Sequence, residues 1–291
     1  MSDLAHIAFL GTGLMGQPMS RRLVAAGYPM TVWNRTRAKA EVIDGARVAA
    51  TPEAAARDAD IVVTVLENGS VVGQVLFGEG GAAYGLQDGA LVVDMSSISP
   101  NEAKDHAARL ALVGVAYVDA PVSGGTVGAD TATLSIMAGG TATAFERAQP
   151  VLEAMGKPVH VGPIGSGQVA KLANQMVVGI AIGAVAEALT FASRLGADPA
   201  RVREALRGGF AESRVLDLHG QRMIDRDFVT RGRTVTHLKD LDNALATAKT
   251  VGSSAPLLTC VAQLFRSLTE HEGDPDHSAL ILEIERLNSG R

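Results

Sequence analysis

Apolar positions follow two regimes along the chain. In the first regime they come as short unbroken runs at 6–10, 31–34, 59–66, 91–97, 117–120, 134–140 and 159–162, each bounded by turn residues. Runs of that length predict strands buried on both faces. Helical spacing between them, as at 17–26, makes the expected domain an α/β domain with a mainly parallel sheet. Beyond Gln175 the period changes to that of a helix. Segments near 169–195, 198–208, 213–224, 236–252, 255–272 and 276–288 alternate with Gly, Pro and Asp, and no strand is predicted among them. The fold class is therefore α/β followed by all-α, with domains at 1–163 and 164–291 and one buried helix over 169–194 shared between them.

The two regimes meet at Gly165-Ser166-Gly167-Gln168-Val169-Ala170-Lys171-Leu172-Ala173-Asn174-Gln175. The glycines suit a turn, and Ser166 is the expected N-cap of the helix. Lys171, Asn174 and Gln175 fall at i, i+3 and i+4, on one face near the helix start. The next eleven or so positions are apolar on every side, which predicts a buried helix, and the run is too short to span a bilayer. A lysine and two amides at the mouth of such a helix are costly unless paired or used. Alone, Lys171 would read as a side chain snorkelling from a helix end. Its company changes the reading.

The first predicted strand runs into Gly11-Thr12-Gly13-Leu14-Met15-Gly16, then a helix and a second strand. In that setting G-x-G-x-x-G is a dinucleotide signature. Gly11 permits the turn, Gly13 lets backbone amides approach a pyrophosphate, and Gly16 lets the helix pack on the sheet. An acidic residue at the end of the second strand would bind the adenosine ribose hydroxyls. This chain has Asn34-Arg35-Thr36-Arg37 instead, and a guanidinium with a hydroxyl suits a 2′-phosphate. NADP is expected over NAD; a solvated charged turn is the plainer alternative. Ser96 and Ser97 end a strand where open sheets present ligand groups, or else cap the helix near Pro100. The small-residue loop Pro121-Val122-Ser123-Gly124-Gly125-Thr126 is suited to hold a carboxylate, although turn chemistry alone would also explain it.

Length, at 291 residues, suits one large domain or two ordinary ones, and 32 glycines with 4% aromatics favour close-packed α/β or α structure over a β-sandwich. A net charge of −5 speaks against a nucleic-acid partner. Cys260 is the single cysteine, so neither an internal disulfide nor a cysteine metal cluster can form, and the expectation for it is a small core residue. The first six residues lack a charged n-region and apolar core, so a cytoplasmic enzyme or binding protein is expected. No cluster with metal-ligand spacing stands out.

Together these motifs resemble the β-hydroxyacid dehydrogenase family, which includes 3-hydroxyisobutyrate dehydrogenase and tartronate semialdehyde reductase. The resemblance spans the chain. It rests on the glycine turn, Asp94-Met95-Ser96-Ser97, Asp119-Ala120-Pro121-Val122-Ser123-Gly124-Gly125, Gly165 through Gln175, and Lys239-Asp240-Leu241. The Asn-Arg-Thr turn and Asp276-His277-Ser278-Ala279 look most like the tartronate semialdehyde reductase branch. The resemblance implies a Rossmann-type domain, a long interdomain helix and a helical domain, commonly as a homodimer or homotetramer. It implies Lys171 as catalytic general acid–base, with Ser123, Gly124 and Gly125 on the substrate carboxylate and Asn174 and Gln175 orienting the substrate. Along the cofactor it places Gly11, Gly13, Leu14, Met15, Gly16, Asn34, Arg35, Thr36, Leu66, Glu67, Ser97 and Lys239. The substrate would be a small 3-hydroxy acid or semialdehyde acid.

Two stretches depart from the family pattern. Glu67-Asn68 replaces proline and a polar residue, and Thr230-Arg231-Gly232-Arg233 replaces Pro-Gly-Phe-Arg. Loss of the aromatic at Gly232 is expected to open the substrate pocket, and Arg231 to serve a second anionic group or face solvent. An imine reductase-like activity and a non-catalytic reader or scaffold of the same fold are the alternatives, and Lys171 weighs against both.

Overall fold

The computed structural model describes residues 4–289. Contacts divide the chain into two units, one running to Lys171 and the other beginning at Leu172. The first contains β1 (Ile7–Leu10), α1 (Gly16–Ala25), β2 (Met30–Trp33), β3 (Arg47–Val48), α2 (Pro52–Ala56), β4 (Ile61–Thr64), α3 (Gly69–Phe77) and β5 (Leu91–Asp94). It continues with α4 (Pro100–Ala111), β6 (Ala116–Asp119), β7 (Val122–Ser123), α5 (Gly125–Asp130), β8 (Leu134–Gly139), α6 (Ala142–Glu153) and β9 (Gly156–Gly162).

The strands form one sheet in the order β3-β2-β1-β4-β5-β6-β8-β7, with β9 on β8. From β3 to β6 every pairing is parallel, whereas β8 runs antiparallel to β6 and β7. The order 3-2-1-4-5-6 is that of dinucleotide-binding sheets, with the switch point between β1 and β4. All residues of β1, β4 and β5 are buried because helices cover both sheet faces. Ile7, Phe9, Val63 and Val93 pack with Met19 and Leu23 of α1 and Val151 and Leu152 of α6. Their neighbours Ala8, Leu10, Val62 and Val92 pack on the other side with Val72 of α3 and Ala103 and Leu110 of α4. Period-two alternation thus serves two apolar cores.

A 29-residue helix, α7 (Ser166–Arg194), begins in the first unit and continues into the second. The second unit adds α8 (Pro199–Leu206), α9 (Gln221–Asp225), α10 (Thr234–Thr250), α11 (Pro256–Glu272) and α12 (Leu280–Asn288). Its core joins Leu172, Ile182, Ala186 and Leu189 of α7 to Leu241, Leu258, Phe265, Leu280 and Ile284. Leu216–Gly220 is a π-helical turn running directly into α9, and Arg233 and Asp276 form an isolated antiparallel bridge.

Several expectations are corrected. Helix α7 already includes Ser166, whose amide bonds to the Pro163 carbonyl, so its cap comes from elsewhere. The helix is also less buried than its composition suggests: Val177 and Phe191 are 69% and 67% exposed. By length and composition α7 would suffice to cross a membrane, and Gln168 at its start is buried and hydrogen-bonded within the sheet unit. Cys260 lies exposed on α11 and not in the core. The two-residue strands β3 and β7 were not legible as apolar runs, because their burial is partial.

Candidate functional site

The glycine turn after β1 shows which of its glycines the fold requires. A side chain on Gly11 would collide with the Val65 carbonyl, and Gly11 holds φ at +106°. One on Gly16 would collide with the Gly11 carbonyl and the Phe9 ring. At Gly13 nothing lies within 4 Å of an added Cβ, so the fold itself does not demand glycine there. The open space at Gly13 leaves room for a pyrophosphate to approach the amides of the turn. Leu14 is exposed beside it, and Met15 packs partly into the sheet core.

Asn34 braces this turn: its Oδ1 accepts from the Thr12 amide at 3.1 Å and its Nδ2 donates to the Thr36 carbonyl at 3.0 Å. Arg35 and Thr36 are exposed next to it. Arg37 is engaged with Glu41 at 2.7 Å, and Thr36 precedes a short 3-10 turn without capping it through its side chain. The hydroxyl and the Arg35 guanidinium therefore remain candidates for a phosphate.

After β4 and β5 a buried carboxylate organises the loops. Asp94 accepts from the Thr64 hydroxyl at 2.7 Å, the Ser96 amide at 3.0 Å and the Tyr117 hydroxyl at 3.0 Å. Burial raises its pKa and these hydrogen bonds draw it back. Ser96 in turn accepts from the Leu66 amide at 2.9 Å, tying together the loops that carry Leu66, Glu67 and Ser97. The helix cap at Pro100 is Ser99, in a capping box with Glu102, which leaves Ser96 and Ser97 to the loop. Asn68 caps α3 through the Val71 amide, so the Glu67-Asn68 departure supplies a helix start. Ser123 ends β7, and Gly124 and Gly125, both exposed at positive φ of 138° and 62°, lead into α5.

Lys171 lies one turn into α7, half-buried. Sequence reading gave no role to two side chains behind it. Asp119, at the end of β6, accepts from the Gly165 amide at 2.7 Å and the Gln168 amide at 2.9 Å. Gln168 accepts from the Ile98 amide at 3.1 Å and donates to the Ser96 carbonyl at 2.9 Å. The available signal was a carboxylate closing a strand, followed far along the chain by Gly-x-Gly-Gln opening a helix.

In the second unit, Asn174 Nδ2 donates to Gln175 Oε1 at 2.9 Å, and Gln175 Nε2 donates to Asp240 at 2.7 Å. Lys239 stands 3.5 Å from the same buried carboxylate. Asp240 thus holds the Gln175 amide directly, and Gln175 in turn holds Asn174. Arg231 pairs with Asp227 at 2.8 Å. Beside Gly232 an added Cβ would meet the His277 ring at 2.9 Å.

His219, Asp276 and His277 place possible metal-ligating atoms within 4.8 Å of one another. The Asp276 carboxylate already accepts from the Ser278 hydroxyl and amide and from the Arg231 and Gly232 amides, and Arg222 lies 3.3 Å away. That cluster is a structural network whose charge is already satisfied. Burial, reinforced by Arg222, lowers the His219 pKa to about 4; burial and the neighbouring His237 and His219 lower His277 to about 3. The folded unit refuses protons that the unfolded chain accepts near 6.5, so their contribution is complete above pH 6.5 and is lost as pH falls, down to about 4 for His219 and about 3 for His277. His219 alone accounts for about 3 kcal/mol of this acid-side loss. Urea unfolding at stepped pH should show it, with a shallower acid limb in His219→Gln; equal slopes in the two proteins would refute the assignment.

Residues 6–165 match the family model for the NAD binding domain of 6-phosphogluconate dehydrogenase. Residues 165–284 match the one for NAD-binding of NADP-dependent 3-hydroxyisobutyrate dehydrogenase. The chain is 43% identical to 2-hydroxy-3-oxopropionate reductase of Escherichia coli strain K12 over 284 residues, 97% of each chain. Among solved structures it is similar to Mycobacterium tuberculosis 3-hydroxyisobutyrate dehydrogenase with L-serine, at TM-score 0.89 and 32% identity, covering 97% of this chain and 99% of that one. It is also similar to Psf3 in complex with NADP+ and 2-OPP, at TM-score 0.86 and 26% identity, covering 96% and 99%.

Proposed function

The chain belongs to the 3-hydroxyisobutyrate dehydrogenase family of β-hydroxyacid dehydrogenases, and on that footing we propose that it interconverts a small 3-hydroxy acid and its semialdehyde with NADP(H), using Lys171 as general acid–base. The observation that carries the reading is Lys171 itself, one turn into a helix hydrogen-bonded to the strand-end loops behind a glycine turn open at Gly13.

Bound on that turn, a nicotinamide dinucleotide supplies the hydride donor or acceptor. Amides of the Gly11–Gly16 turn would hold its pyrophosphate, Arg35 and Thr36 its 2′-phosphate, and Leu66, Glu67, Ser97 and Lys239 its remaining length. Support for NADP comes from the absence of a carboxylate at the end of β2 and from the NADP+ carried by Psf3. Ser123 with the Gly124 and Gly125 amides would anchor the substrate carboxylate, while Asn174 and Gln175 orient the hydroxyl carbon. Lys171 takes the hydroxyl proton on oxidation and returns one to the carbonyl oxygen on reduction. Exposed Val169, Val177 and Phe191 on α7 support a homodimer or homotetramer.

Turnover of NADPH with a panel of small semialdehyde acids tests the reading, which fails if no such acid is reduced. In the same assay Arg35→Asp should raise the KM for NADPH roughly tenfold or more, by placing a carboxylate against the phosphate, and leave NADH less affected. Higher wild-type efficiency with NADH would overturn the cofactor assignment.

A further inference from the structure

We infer that Asp119 is a positioning residue for the reaction: its carboxylate caps α7 from the end of β6 and thereby fixes where Lys171 stands. The inference rests on the reading of Lys171 as general acid–base.

The first turn of a helix leaves amide donors without intrahelical partners, and a side chain preceding the helix usually supplies the acceptor. Here Ser166 is already inside the helix, and the acceptor arrives from a residue 46 positions away. One carboxylate oxygen takes the Gly165 amide and the other the Gln168 amide, so both are committed to this helix start. Burial raises the Asp119 pKa to about 6 while those two amides pull it down, so the group is an anion at neutral pH. An anion is the charge that the amino end of a long helix stabilises.

The packing around it shows that the contact is built for close approach. A Cβ on Gly139 would press on Asp119 Oδ1, and one on Gly167 would meet Asp119 Oδ2 and the Met137 carbonyl. With any side chain at either glycine, the helix could not come down onto the strand ends. Gln168 completes the attachment, bonded through both ends of its amide to the Ser96-Ser97-Ile98 backbone. Lys171 follows Gln168 by three residues and shares its backbone frame. Near Asp119 the other charged or titratable groups are Asp94 and Tyr117, both buried, and Lys104, whose stem packs against Gly165. None of these reaches the Gly165 and Gln168 amides, so Asp119 holds those two, while the Pro163 carbonyl takes the Ser166 amide between them.

Asp119→Asn replaces one acceptor by a donor facing an amide and removes the charge. If Asp119 acts through Lys171, kcat should fall roughly 10- to 100-fold, the scale for a displaced catalytic group, with KM for NADPH unchanged. In a Lys171→Ala background the same substitution should cost nothing further, because the group it positions is gone. Asp119→Ser, which restores a neutral capping oxygen, should recover part of kcat and serves where the asparagine variant does not fold. An equal fractional loss in both backgrounds, or a loss appearing in the NADPH KM, would overturn the positioning role and leave Lys171 as it was. Near-normal kcat in Lys171→Ala would overturn the acid–base reading and this inference with it.

Discussion

Lys171→Ala should lower kcat by roughly 10²–10⁴-fold, the usual cost of removing a general acid–base group. Cofactor affinity should barely move, because the glycine turn and the Asn34-Arg35-Thr36 segment proposed to supply it fold around β1 and β2, away from α7 in sequence. The arginine variant is the sharper test. A guanidinium stays protonated and cannot relay a proton, so Lys171→Arg should remain near the alanine level. If Lys171 merely anchored the substrate carboxylate, arginine would restore much of the rate and the damage would sit in KM. Near-normal kcat with arginine would thus defeat proton transfer by this residue while leaving the dehydrogenase reading intact.

The second large effect separates two glycines three residues apart. Gly16→Ala should destabilise the sheet unit by about 1–3 kcal/mol or more, because its Cβ meets the Gly11 carbonyl and the Phe9 ring, neither of which can yield cheaply. Gly13→Ala meets nothing, so its melting temperature should stay close to the parent. Its NADPH KM should nevertheless rise roughly tenfold or more, since the methyl would stand where the pyrophosphate must approach. Thermal denaturation and steady-state kinetics on the two variants decide the matter. A normal KM in Gly13→Ala would remove the cradle assignment.

Legibility from sequence followed how local each cause was. Strands buried on both faces by helices, such as β1, β4 and β5, announced themselves as unbroken apolar runs. The glycine turn was readable because its spacing is a short-range constraint. Helix ends were not always so. Ser166 looked like a cap, but the real acceptor comes from β6, and no short-range pattern reports an acceptor that distant. Composition likewise made α7 look buried throughout, whereas exposure depends on what the rest of the chain can cover, and Val177 and Phe191 stay outside. The role of Asp240 in holding Gln175 was hidden for the same reason: the two meet only through folding.

The carboxylate wedged between Gly139 and Gly167 also constrains how this protein can be recombined. Those three positions lie on β6, β8 and α7, yet any one of them tolerates change only if the other two accommodate it. A chimera with a crossover between β6 and β8 would inherit the acid from one parent and its clearances from the other. Such crossovers should be recovered as active enzyme only when both parents carry the same trio, so a shuffling library built on this scaffold needs its breakpoints before Asp119 or after Gln168.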